Sequence, residues 1–129
     1  MIFFIPKRDI SAADIAQIRK LCGSSISDIK QASQLRKALV EIEPFTTNWD
    51  AEKFYLAKLY RLLVGQAPVP FEILEGDSIE DAEFLSSEVY YSRLATFREI
   101  ELEQQRLTDL EMGYIRSDEE FRPHDQDWL

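Results

Sequence analysis

"IFFIPKRDISAADIAQIRKLCGSSISDIKQA", Ile2 to Ala32, decides the fold class, because its apolar residues change period within thirty positions. Ile2-Phe3-Phe4-Ile5 is a continuous apolar run closed by Pro6, which reads as a buried strand. Ser11, with Asp14 three residues later, is a carboxylate version of the capping box. Ile15, Ile18 and Cys22, with Leu21 beside them, then form one apolar stripe at helical spacing. Gly23 stops that helix, because glycine takes the left-handed backbone that closes a helix without steric penalty. Ser25 or Ser27 caps a second helix, with Ile29, Ala32 and Leu35 facing inward.

Further along, Ala38 to Ile42 alternates apolar and acidic residues and is a candidate strand ended by Pro44. A helical continuation from Lys30 through Val40 competes with it. Thr47 with Asp50 starts a third helix, "WDAEKFYLAKLYRLLVG", after a loop in which Trp49 covers a core edge. Leu56, Leu59, Tyr60 and Leu63 make its core stripe, which Phe54 and Tyr55 widen. Gly65 ends it and "APVP" blocks resumption. In "VPFEILEG" Val69, Phe71 and Ile73 share one face of a strand and Glu72 the other. The order over residues 1–75 is β-α-α-β-α-β, an α+β core with helices on one face of a sheet.

Residues 76–115 form a C-terminal helical extension packed on that core, and 116–129 an acidic tail. Ser78 and Asp81 are a cap pair, and Ile79 to Gly113 holds no Pro or Gly inside it. One helix of that length would span about 50 Å, against roughly 35 Å for a compact chain of this size. The helix therefore breaks near Ser86-Ser87 or projects beyond the core. Leu94, Phe97, Ile100, Leu107, Leu110 and Tyr114 approximate its apolar face.

Charge is distributed unevenly along the 129 residues. Residues 1–71 carry ten Lys/Arg and seven Asp/Glu, a net of +3, whereas 72–129 carry five Arg and seventeen Asp/Glu, a net of −12. An acidic half attracts basic partners and repels phosphate backbones, so direct nucleic-acid binding is not expected. No apolar run approaches the roughly 20 residues of a membrane helix. The opening residues carry their charge after the apolar run, the reverse of a secretory signal. The single cysteine, Cys22, cannot form an internal disulfide, which fits a cytoplasmic location.

"ADIAQIRKLCGSSISDIKQA" and the β-α-α-β-α-β order around it resemble the C-terminal domain of the bacterial ribosomal stalk protein. The N-degron adaptor of the Clp protease shares that fold. The likeness covers residues 1–75 and rests on Gly23-x-x-Ile26-x-x-Ile29-Lys30. It implies a fold and a lysine-bearing helix that contacts translation factors. Here Ser24 and Ser25 stand in the turn, and the basic residues are Lys30, Arg36 and Lys37. The acidic extension has no counterpart in the family.

His124, the only histidine, could join Asp125 and Asp127 around a divalent metal, or serve a Ser-His-Asp triad. Neighbouring side chains rarely converge on one point, no second histidine or CxxC accompanies it, and no G-x-S-x-G elbow is present. Glycine loops for phosphate are absent, since the four glycines stand far apart. No cofactor, metal or catalytic residue is therefore expected. The expected partner-binding residues are acids and aromatics of the acidic half: Glu80, Asp81, Glu83, Glu88, Tyr91, Asp118, Glu119, Glu120, Phe121, Asp125, Asp127 and Trp128. Phe121 and Trp128 either dock the tail on its own domain or anchor a partner. These features point to a non-enzymatic, acidic protein-binding module that engages a basic protein surface. Its concrete form would be a bacterial immunity protein neutralising a toxin, such as a nuclease. The alternatives are an adaptor or translation-associated protein using the stalk-like domain, and a small enzyme with an unrecognised site.

Overall fold

The computed structural model describes residues 1–65 and 68–129. Its centre is the first apolar run, β1 (Ile2–Pro6), which lies between β2 (Val40–Ile42) and β3 (Phe71–Glu75) and runs antiparallel to both. Ile2 stands opposite Ile42 on one side and Glu75 on the other, and Phe4 opposite Val40 and Ile73. β4 (Glu83–Phe84) pairs antiparallel with β3 and completes a four-stranded sheet of order β2-β1-β3-β4. The protein is α+β, as the change of period in the first thirty residues implies.

α1 (Ala12–Cys22) begins at the complete capping box of Ser11 and Asp14 and closes at Gly23, whose φ of 72° is left-handed. Between the two candidate caps of α2 (Ile26–Leu35), Ser25 does the work, accepting from the Asp28 amide at 3.1 Å. The helix continues past Lys30 only to Leu35, because Arg36 adopts a positive φ of 51° and the chain turns into β2. α3 (Trp49–Gly65) crosses from β2 to β3; the expectations about its end fall partly on Gln66 and Ala67, outside the described residues.

The helices cover one face of the sheet, where Ile2, Phe4, Phe71 and Ile73 meet Ile18, Ile29, Leu56, Leu59 and Leu94. Val69, Phe71 and Ile73 share that side as their alternation predicts. The other face buries Phe3, Ile5 and Leu74 beneath Ala38, Ile79 and Ala82 of two loops. Two inward assignments are corrected: Leu35 is 57% exposed and Phe54 53% exposed. Ser33 takes the inward place on α2, its neighbour Ala32 being buried beside it, and Trp49 and Lys53 extend the buried stripe of α3 instead.

The C-terminal half departs most from its pattern. Ser78 and Asp81 do not start a helix; they bond to each other at 3.2 Å in a turn that leads into β4. The free edge of β3 offers this segment backbone partners, and Leu85 donates from its amide to the Ile73 carbonyl at 2.9 Å. Gly76 permits the turn, since a Cβ there would lie 2.7 Å from the Ala82 Cα. α4 then runs Ser87–Glu111 from the cap Ser86, a length of about 37 Å. Ser86-Ser87 is therefore where the helix begins and not a break within one, since no helix leads directly into it. Beyond residue 75, β4 joins the same sheet as the first three strands, and Trp128 the same core.

The apolar face expected for α4 is correct in part. Leu94 is buried and Phe97 and Leu110 are half-buried, but Ile100, Leu107 and Tyr114 are exposed, and Arg98, Glu101 and Asp109 are buried in their place. What packs on that part of α4 is the returning tail, which reverses at Gly113 (φ 76°). Among the described residues no helix is long and apolar enough to cross a membrane.

Candidate functional site

Helical spacing builds the most ordered polar assembly of the molecule. Trp49 and Lys53 lie four apart on α3, and Arg98 and Glu101 three apart on α4, so each pair shares a face. The Glu101 carboxylate accepts four hydrogen bonds: Trp49 Nε1 and Lys53 Nζ at 2.9 Å, Arg98 at 3.2 Å and Trp128 Nε1 at 2.6 Å. Asp125 accepts from Lys53 at 2.8 Å, Arg98 at 2.9 Å and Gln105 at 3.1 Å. Two cations and two carboxylates thus balance in a nearly closed network. Around it, Trp49 stands edge-on to Trp128 and Phe97, with ring centroids 5.9 and 5.7 Å apart.

The tail runs back along α4 as a strap. The His124 amide donates to Gln105 at 3.0 Å, and its Nε2 lies 2.8 and 2.9 Å from the Asp109 carboxylate oxygens. Asp125 follows at the cations, and Trp128 ends in the core, 2% exposed. Arg61 donates to the Trp128 carbonyl at 3.3 Å. Beside the strap lies a cleft of about 370 Å³ lined by Phe45, Thr46, Trp49, Gln104, Thr108 and His124. Among the described residues no group of three or more His, Cys, Asp and Glu is placed to hold a metal ion.

Burial opposes the Glu101 charge, but the bonds from Trp128, Lys53, Arg98 and Trp49 overcome it and hold this carboxyl below its ordinary range. Burial likewise opposes ionisation of Asp125, and Lys53, Arg98 and Gln105 outweigh it, leaving its pKa strongly lowered. Lys53 is raised for the matching reason: burial works against it and Asp125 and Glu101 prevail. Both carboxyls therefore stay ionised near neutral pH, and the network ties the tail to α3 and α4. Their native pKa values lie below the unfolded ones. Their contribution is therefore complete above about pH 5 and is lost as pH falls through the native values. Urea unfolding should give constant stability from about pH 7 to 5 and a steep decline below about pH 4. Stability that held level down to about pH 3 would contradict the network's role.

The expected partner-binding residues separate into two groups. Glu80, Asp81, Glu83, Glu88 and Tyr91 are all exposed along the entry to α4, and the four carboxylates make no ion pair among the described residues. Sequence reasoning missed two exposed apolar neighbours there, Phe84 at 64% and Val89 at 43%. In the tail, Trp128 is buried, Asp125 is part-buried and paired with Lys53 and Arg98, and Phe121 is half-buried with its ring 6.2 Å from His124. Asp118 pairs with Arg106, Glu120 accepts from the Arg116 amide at 2.9 Å, and Asp127 accepts from the Leu129 amide at 3.1 Å. Glu119 is exposed. Lys53, Arg98 and Glu101 were also missed. Their signal is a charge placed where the stripe Trp49-Leu56 or Tyr90-Leu94 would continue. No protein-family model, curated protein or solved structure matches the chain.

Proposed function

We propose that this chain is a non-enzymatic protein-binding module that holds a basic protein surface through the segment from Glu80 to Tyr91. The observation that carries this reading is the set of four exposed, unpaired carboxylates interspersed with exposed Phe84, Val89 and Tyr91. Acids left without internal cations raise the rate of encounter with a basic partner, and aromatics supply the contact area that holds it. β4 adds a short sheet edge whose outer backbone groups, among the described residues, face no further strand. In the finer form of the proposal the chain is a cytoplasmic bacterial immunity protein whose partner is a toxin domain, a nuclease above all. Its acids would stand where nucleic-acid phosphates otherwise bind.

Co-expression with the toxins encoded beside its gene, followed by pull-down and a toxicity assay, tests the reading. A cognate toxin should bind and be neutralised. The combined Glu83→Lys and Glu88→Lys variant should lower the association rate by roughly tenfold or more, with a weaker salt dependence. Binding unchanged by both reversals would remove the segment from the interface, and absence of any neutralised neighbour would count against the toxin reading. The β-α-α-β-α-β order of residues 2–75 favours a second reading, an adaptor resembling the ribosomal stalk domain. Recovery of translation factors or protease subunits in the same pull-down would support that one instead.

A further inference from the structure

A groove of about 380 Å³ lies over the outer surface of α1 and the start of α2, lined by Ala12, Ile15, Ala16, Arg19, Lys20 and Ile26. Positions 12, 16, 19 and 20 recur along one face of α1. The two alanines keep that face low, and Ile26, 45% exposed, stands at the head of α2 as an apolar neighbour. Ile15 continues from the groove into an adjoining cleft that Lys30 also lines, and Lys30 shares a face of α2 with Ile26. Apolar ground is thus bordered by three exposed cations, and among the described residues Arg19, Lys20 and Lys30 form no ion pair. Of the nearby acids, Asp14 is committed to the capping box of Ser11, and Asp9 lines the adjoining cleft.

Such a surface suits an acidic segment with a protruding apolar side chain. The chain carries one in Glu80 to Tyr91, whose four carboxylates are equally without ion pairs and whose Phe84 is exposed. This segment cannot fold back onto its own groove. β4 holds Phe84 beside Leu74, on the face of the sheet away from the helices, whereas α1 packs on the other face. The contact needs a second molecule.

We propose that the groove of one copy receives the acidic segment of another, with Phe84 over Ala12, Ala16 and Ile26 and the carboxylates near Arg19, Lys20 and Lys30. The two surfaces differ, so the interface is heterologous: a pair keeps one free groove and one free segment, and assembly grows head to tail. The copies then cover the same segment that is assigned above to a basic partner, so self-association withholds it. A net charge of −9 makes copies repel at long range. At about 0.1 M salt the Debye length of about 10 Å screens that repulsion, while charges in contact still attract. Such a small, charged interface gives a Kd on the order of 100 μM.

Sedimentation equilibrium of the full chain at about 0.1 M salt, from about 10 μM to 1 mM, tests this. The average mass should rise with concentration from that of one chain, and fall back at about 1 M salt, where the Debye length is about 3 Å. Arg19→Gln with Lys20→Gln should weaken self-association about tenfold or more, and so should Glu83→Gln with Phe84→Ser. All four residues are exposed, so circular dichroism of both variants should match the parent. Mixed in equal amounts, the two variants should associate again and stop at the dimer, because one supplies the intact segment and the other the intact groove. Three outcomes would overturn the proposal: a parent chain still monomeric at about 1 mM, either variant associating like the parent, or a mixture that stays monomeric. No basic partner enters the experiment, so its outcome is separate from that of the toxin reading.

Discussion

Trp128→Ala should lower the unfolding free energy by about 3–5 kcal/mol, the range found when a large buried aromatic is truncated. The residue is next to the last in the sequence, and terminal positions ordinarily tolerate change. Its burial says otherwise: the indole is 2% exposed, stands edge-on to Trp49 and donates to Glu101 at 2.6 Å. Removal opens a cavity in the core and takes one donor from a buried carboxylate. The loss is a large part of the roughly 5–15 kcal/mol available to a domain. Urea unfolding monitored by circular dichroism measures it. A loss below about 1 kcal/mol would mean that the tail does not hold this position in solution.

Glu101→Gln should be comparably severe, about 3–5 kcal/mol, although the side chain barely changes shape. Lys53 and Arg98 would lose their one buried carboxylate partner, keeping the part-buried Asp125 and, at longer range, the exposed Asp50 and Asp127. The amide nitrogen is a donor and would meet indole N–H or ammonium donors wherever it turned. The two substitutions share one hydrogen bond, so the double variant should lose less than the sum of the singles. Near-additive losses would show that Trp128 and Glu101 act separately. Glu101→Gln should also raise acrylamide quenching of tryptophan fluorescence, because the strap loses the carboxylate that its terminal indole grips.

Local patterns were legible where the chain speaks to its near neighbours. The Ser11 box, the Gly23 stop, the Ser25 cap and the alternation Val69-Phe71-Ile73 each act within a few residues. The start of α4 was harder. Ser78 and Asp81 have the spacing of a cap, and what prevents the helix is the unpaired edge of β3, formed by residues before them in the chain. The candidate site shows the same division. Exposure of Glu80, Asp81, Glu83 and Glu88 followed from their charge, but Phe84 became an exposed aromatic only because β4 pairs it with Leu74 at the sheet's edge, on the face the helices leave uncovered.

Trp128 makes the contrast sharpest, because its spacing with Phe121 was compatible equally with a partner and with the parent domain. The sequence by itself determined the element order to residue 75, the α+β class and the acidity of the second half, since periodicity, capping and net charge are local or additive. Only the tertiary structure decided where the tail goes and which charges are buried. A lysine, an arginine, a glutamate and an aspartate from α3, α4 and the tail are each unfavourable in a core alone. They become acceptable only together, and their meeting depends on distances that no stretch of sequence contains.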